Sequence, residues 1–104
     1  MTYSIQQIAS ILGIRTEQAY PAQISTLLID SRKLIHPEGT LFFALETKNN
    51  DAHAFVSDLY NKGVRNFVVT RILPEWAQYS QVNFLKVKNS LSALQKIAAA
   101  HRSR

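Results

Sequence analysis

Four short apolar runs recur along the chain: ISTLLI (24–29), TLFFAL (40–45), RNFVVT (65–70) and VNFLKVK (82–88). Segments of helical periodicity separate them. Runs of this length, rich in β-branched and aromatic residues, read as strands. The first three are continuously apolar at their centres, which suits strands covered on both faces. VNFLKVK only half alternates and reads as a strand nearer an edge. Strands alternating with helices imply an α/β class: a single layered domain with a mixed β-sheet of about four to five strands and flanking helices.

The helical segments carry their own start and stop signals. Ser4 followed by Gln7 matches a capping box, and Tyr3 with Ile8 fits a hydrophobic staple. Ile5, Ile8, Ile11 and Leu12 then recur at helical spacing until Gly13. In DAHAFVSDLYNKG, Asp51 is a candidate N-cap, Phe55, Val56, Leu59 and Tyr60 form one apolar stripe, and Gly63 is a stop. Pro74 begins a helical turn or irregular segment in LPEWAQYSQ. The last helix starts at an Asn/Ser cap and carries Leu91, Leu94, Ile97 and Ala98 on one face. No glycine or proline closes it, so a longer chain is expected to continue beyond it.

Composition narrows the classes of function. The 104 residues are one domain's worth, and 46% hydrophobic residues supply a core. Without cysteine there is no disulfide framework and no thiolate metal site. His36, His53 and His101 are too scattered to mark a metal site. The start MTYSIQQIAS lacks a basic leader and a long apolar run, and no stretch approaches the roughly 18 apolar residues of a membrane span. The expectation is a cytoplasmic protein with no membrane partner.

The net charge of +5 is distributed unevenly. Acids and bases cancel up to Glu75, and the excess comes from Lys86, Lys88, Lys96, Arg102 and Arg104. A nucleic-acid face is usually denser and interleaved with exposed aromatics. A solvated face, or a surface that meets another domain, is the plainer reading. A small basic nucleic-acid-binding domain stays as the alternative, while the favoured reading has no nucleic-acid partner. The sequence holds no ATP-binding P-loop, dinucleotide fingerprint, nucleophile elbow or zinc-protease motif. Its three glycines, Gly13, Gly39 and Gly63, each sit at a helix end or a turn. Such a domain binds something rather than converting it.

Residues 29–55 carry a more specific pattern. DSRKLIHPEGTLFFAL, then DAHAF, NKGVRNFVV and, near the end, LSALQKIAAAHR resemble, in order and spacing, the N-terminal domain of the Mur ligases. These are ATP-dependent enzymes that extend the peptide stem of the bacterial cell-wall precursor. LFFAL with DAHAF looks more like the ligase that adds D-alanyl-D-alanine than the one that adds the third residue. The resemblance implies that residues 1–104 are a UDP-precursor-binding domain, a fragment of a longer enzyme, without catalytic residues, metal or cofactor of its own. ATP and magnesium would belong to a following domain of the parent ligase, and the partners would be UDP-N-acetylmuramoyl-tripeptide and the ATP-binding and C-terminal domains. Some members of the family are also fused to an alanine racemase.

The same resemblance points to Ser31, whose family counterpart contacts the nucleotide, and to the loop Thr47, Lys48, Asn49 and Asn50. A diphosphate needs donors and positive charge, which Ser31 and Lys48 offer. The amides of Asn49 and Asn50 suit the uracil edge, and the helix starting near Ala52 is expected to point free N–H groups at this loop. Asp30, Arg32, Asp51 and His53 are secondary candidates. Asp30 and Arg32 are expected to pair with one another, Asp51 to cap the helix, and His53 to pack or lie at the surface. The family has glycine where Thr47 stands, so a threonine forced to positive φ would be strained. The loop backbone is therefore expected to differ there.

Overall fold

Parallel strands form the centre of the computed structural model, which describes residues 2–15 and 20–102. The chain begins with β1 (Tyr3–Ser4), α1 (Ile5–Leu12), β2 (Gln23–Ile24) and β3 (Thr26–Leu28). A 3₁₀ turn, Ser31–Lys33, leads to β4 (Thr40–Phe43) and the hairpin of β5 (Glu46–Thr47) and β6 (Asn50–Asp51). A second 3₁₀ turn, Ala52–Phe55, runs into α2 (Val56–Asn61), followed by β7 (Asn66–Val69), a third turn at Pro74–Gln78, β8 (Asn83–Lys86) and α3 (Ser90–Arg102).

The main sheet has the order β3-β4-β7-β8, all parallel, while β1-β2 and β5-β6 are short antiparallel ribbons. Its register stacks Leu28, Phe42, Phe67 and Phe84 in one row, and Phe43, Val68 and Leu85 in the next. Because side chains alternate across a strand, the two rows face opposite sides. The phenylalanine row packs under α2 and Trp76, and the other row under α1 and α3. The result is three layers with two cores. β4 and β7, buried at every position, are the central strands that TLFFAL and RNFVVT foretold, and VNFLKVK does form an edge strand.

Local capping follows the sequence closely. Ser4 Oγ accepts from Gln7 N–H at 3.1 Å, Gln7 Oε1 accepts from Ser4 N–H at 2.8 Å, and Gly13 ends α1 at φ 72°. Tyr3 and Ile8 are both buried, as a staple requires. Asn89 Oδ1 accepts from Ser92 N–H at 2.9 Å and caps α3. The link IRTEQAYPAQ lies partly outside the described residues.

Three expectations fail. ISTLLI is not covered on both faces: it breaks at Ser25, and β3 is the other edge of the sheet, with Leu27 and Ile29 38% and 51% exposed. An apolar run reports hydrophobicity, not its place in the strand order. Phe55 is exposed because it ends a 3₁₀ turn of three residues per turn, which takes it off the Val56–Leu59 stripe. Leu91 is exposed as well: α3 turns Ser90, Ala93 and Ile97 toward the sheet, so Leu91 points about 100° away.

Candidate functional site

All four strands of a parallel sheet leave it at one end, and the crevices outside these carboxyl ends are where open α/β sheets bind ligands. Here β3 runs into Asp30 and Ser31, β4 into the β5-β6 hairpin, β7 into Thr70 and Arg71, and β8 into Lys88, Asn89 and α3. Ser31 and residues 47–50 thus leave adjacent strands at the same end of the sheet.

Asp30 caps the Ser31–Lys33 turn, its Oδ1 accepting from Arg32 N–H at 3.0 Å. The Arg32 guanidinium returns to the same carboxylate, with Nε and Nη2 each donating at 3.1 Å. These hydrogen bonds from Arg32 hold the Asp30 carboxyl below its usual range and raise Arg32 in turn. The two are partners, as expected, and Ser31 lies half-buried between them.

In the hairpin, Glu46 pairs with Asp51 and Thr47 with Asn50, leaving Lys48 and Asn49 as the turn. Thr47 is not strained. It is extended, Gln81 is the sole non-glycine with positive φ among the described residues, and Thr47 Oγ1 donates to the Asn50 carbonyl at 3.2 Å. Lys48, Asn49 and Asn50 are exposed. The free N–H groups expected near Ala52 are already used: Ala52 N–H donates to Leu45 O at 3.0 Å and His53 N–H to Asp51 Oδ1 at 2.9 Å. The opening turn is stitched to the hairpin, so it offers no donors to an anion.

Of the two roles expected for His53, the structure shows packing rather than a surface position. His53 is 2% exposed and stacks on Trp76 with ring centroids 6.1 Å apart. Its Nε2 accepts the Thr70 backbone N–H at 3.1 Å, which places the ring proton on Nδ1, 2.7 Å from Asp51 Oδ1. Asp51 Oδ2 accepts from Arg71, and Arg71 Nη1 lies 3.3 Å from Glu46 Oε1. Thr70 Oγ1 donates to that same Glu46 oxygen. Burial pushes the Asp51 carboxyl up, but the Arg71 and His53 hydrogen bonds outweigh it and hold it at about 2. Asp51 is thus both the expected cap and the hub of a network fastening the hairpin to the end of β7.

Glu46, Asp51 and His53 are close enough to share a cation. Their lone pairs argue against it: Nε2 is occupied by Thr70 N–H, Nδ1 carries the proton, and both acids already face Arg71. Sequence reading missed Glu46, Thr70 and Arg71. The available signal was position, since Thr70 ends RNFVVT much as Glu46 follows TLFFAL.

Among the described residues, two neighbouring clefts open at this end. The larger, about 610 Å³, lies between the end of α1, the end of β8 and α3 and is lined by Lys86, Lys88 and Lys96 among others. The smaller, about 320 Å³, shares Thr70, Lys88 and Asn89 with it and reaches Thr47 and Ser90. Of the candidate ligand residues only Thr47 lines either cleft. Ser31 and residues 48–50 lie outside both. No described helix is long and apolar enough to cross a membrane.

Comparison with known proteins shows what the chain is similar to. No protein-family model matches the chain. It is 33% identical over 76 residues to the UDP-N-acetylmuramoyl-L-alanyl-D-glutamate–2,6-diaminopimelate ligase of Cytophaga hutchinsonii, covering 73% of this chain and 15% of that protein. The ligase of the same name from Clostridium tetani is 31% identical over 71 residues, covering 68% and 14%. The chain therefore spans only a small part of the curated relatives it matches. Among solved structures, MurF from Acinetobacter baumannii superposes with a TM-score of 0.76 over 99% of this chain and 22% of its own, at 24% identity. A second crystal structure of that protein gives 0.77 over 99% and 21%.

Proposed function

From a chain whose relatives are Mur ligases and whose fold is that of the MurF N-terminal domain, we propose that residues 1–104 bind the UDP end of a UDP-N-acetylmuramoyl-peptide. One observation carries the reading: the Ser31 turn and the 46–51 hairpin leave neighbouring parallel strands at the ligand-binding end of the sheet. Ser31 offers its hydroxyl and N–H, Lys48 its charge to the diphosphate, and the amides of Asn49 and Asn50 the edge match for uracil. Asp30 and Arg32 shape the turn, and Asp51 and His53 hold the hairpin.

The domain is a fragment of a longer ATP-dependent ligase in peptidoglycan-precursor synthesis, and ATP and magnesium bind elsewhere in that parent. We assign the parent to the D-alanyl-D-alanine step on LFFAL with DAHAF. Both curated relatives carry the name of the diaminopimelate step, while the fold likeness is to MurF. Ligation assays on the parent with each amine decide between them. Nothing in the relatives speaks for a fused racemase.

The test of binding is an NMR titration of the ¹⁵N-labelled chain with UDP-N-acetylmuramoyl-tripeptide, UMP and a short RNA. Shifts clustered at Ser31 and residues 47–51 are expected with the first two. A silent precursor and UMP at millimolar concentration, with RNA perturbing Lys86 to Arg104, would replace this reading with the nucleic-acid one.

A further inference from the structure

The hairpin that carries residues 47–50 has an electrostatic problem built into its register. β5 and β6 are two residues each, and Glu46 and Asp51 are direct partners in their ladder. Directly opposed residues of an antiparallel pair share a face, so two like charges there work against the pairing. A ladder this short has little to set against that repulsion, since even longer isolated hairpins are marginal in water.

The end of β7 supplies what the hairpin lacks. Arg71 spans the two carboxylates: Nη1 lies 3.3 Å from Glu46 Oε1, and Nη2 donates to Asp51 Oδ2. The other side-chain donors at these acids are neutral. Thr70 Oγ1 donates to Glu46, and His53 Nδ1–H donates to Asp51 at 2.7 Å while its Nε2 accepts the Thr70 N–H. The hydrogen bond to Asp51 and the charges of both acids in turn raise the Arg71 pKa. A lysine could not replace it, because an ammonium is a point charge whereas the guanidinium fork reaches two partners with two nitrogens.

The balance of charge bears on the ligand. Glu46 and Asp51 against Arg71 and Lys48 leave the hairpin without net charge. Take Arg71 away and the same hairpin turns anionic, beside the turn whose Lys48 is to meet a diphosphate.

We propose that Arg71 is a positioning residue for the uridine nucleotide: it clamps Glu46 to Asp51, which holds the 47–50 turn in the closed hairpin and shields the two carboxylates from the ligand's phosphates. It acts through the hairpin rather than by touching the ligand. The identity of the ligand rests on the nucleotide reading above, whereas the clamp does not.

Two readouts on the ¹⁵N-labelled chain keep the clamp and the ligand apart. Without nucleotide, the ¹H–¹⁵N heteronuclear NOE of the 47–50 amides reports the order of the hairpin. Titrations with UDP and with uridine then report affinity. Arg71→Gln is expected to lower the NOE at 47–50 and leave the Phe42 and Phe67 amides of the central strands in place. It should also weaken UDP binding about tenfold, as when the closed hairpin is populated about a tenth of the time. Uridine, which carries no phosphate, should lose less. Adding Glu46→Gln to Arg71→Gln relieves the opposed charges and should recover much of both losses, a rescue that mere loss of packing would not give. Lys62→Gln, the same charge change on a residue paired with Asp58 at 3.2 Å, should alter neither readout. An unchanged NOE, a UDP affinity indifferent to Arg71→Gln, or no recovery with Glu46→Gln overturns the proposal. If the unaltered chain binds neither UDP nor uridine, the nucleotide reading falls, and the NOE alone then upholds or overturns the clamp.

Discussion

Replacing His53 by leucine tests whether the hairpin that carries the candidate loop is fastened from below. The substitution keeps an apolar side chain of similar reach but removes both ring nitrogens. Thr70 N–H then loses its acceptor at 3.1 Å in a part-buried position, which costs about 1–3 kcal/mol. Asp51 loses the Nδ1–H bond at 2.7 Å, but its side chain is 40% exposed and water substitutes, so that loss is about 0.5–1 kcal/mol. Leucine burial under Trp76 offsets little, because histidine already filled that space. The sum is a destabilisation of about 1.5–4 kcal/mol, a large share of the 5–15 kcal/mol typical of a domain.

Urea denaturation followed by circular dichroism gives the global figure. Fluorescence of Trp76, the chain's one tryptophan, reports locally, since its ring stacks on His53. His53→Gln, which retains one donor and one acceptor, should recover part of the loss. Amide exchange at Thr70 should accelerate more in His53→Leu than exchange at Phe67 in the same strand. A loss below about 1 kcal/mol with an unchanged m-value would refute the reasoning, because an unsatisfied Thr70 donor must be more costly than that.

Acid should unfasten the same network. The folded-state carboxyl of Asp51 sits at about 2 against an ordinary 3.8, so its contribution is present above about pH 4 and is lost as pH falls toward 2. Taken at face value the shift is worth about 2 kcal/mol, and about 1 kcal/mol once its exposure is discounted; Asp51→Asn should flatten that part of a stability-versus-pH curve. Gly39→Ala meets two obstacles, φ of +77° and a new Cβ 2.7 Å from Ser25 Oγ, and should cost about 1–3 kcal/mol in urea denaturation. Ser4→Ala removes the capping box of α1 and should lower stability by about 1 kcal/mol, visible as a melting temperature lower by about 5 °C.

What the sequence determined by itself was whatever is settled within a few residues. The Ser4–Gln7 box, the left-handed Gly13, the Asp30–Arg32 pair and the Asp51 cap all close hydrogen bonds over two to four positions. TLFFAL and RNFVVT were legible as buried strands because they lack any polar alternation, and the DSR and DAHAF stretches carried the family likeness. Tertiary structure decided what depends on strand order. It put ISTLLI at an edge despite its apolar run, and sent Thr70 and Arg71 to the same end as the hairpin. It also buried His53 between Trp76 and Asp51, and turned Ser90 rather than Leu91 inward. Those contacts join residues up to 24 positions apart, as Thr70 with Glu46 shows. No local propensity encodes such a pairing, because its energy exists only once the parallel sheet has brought the two strand ends together.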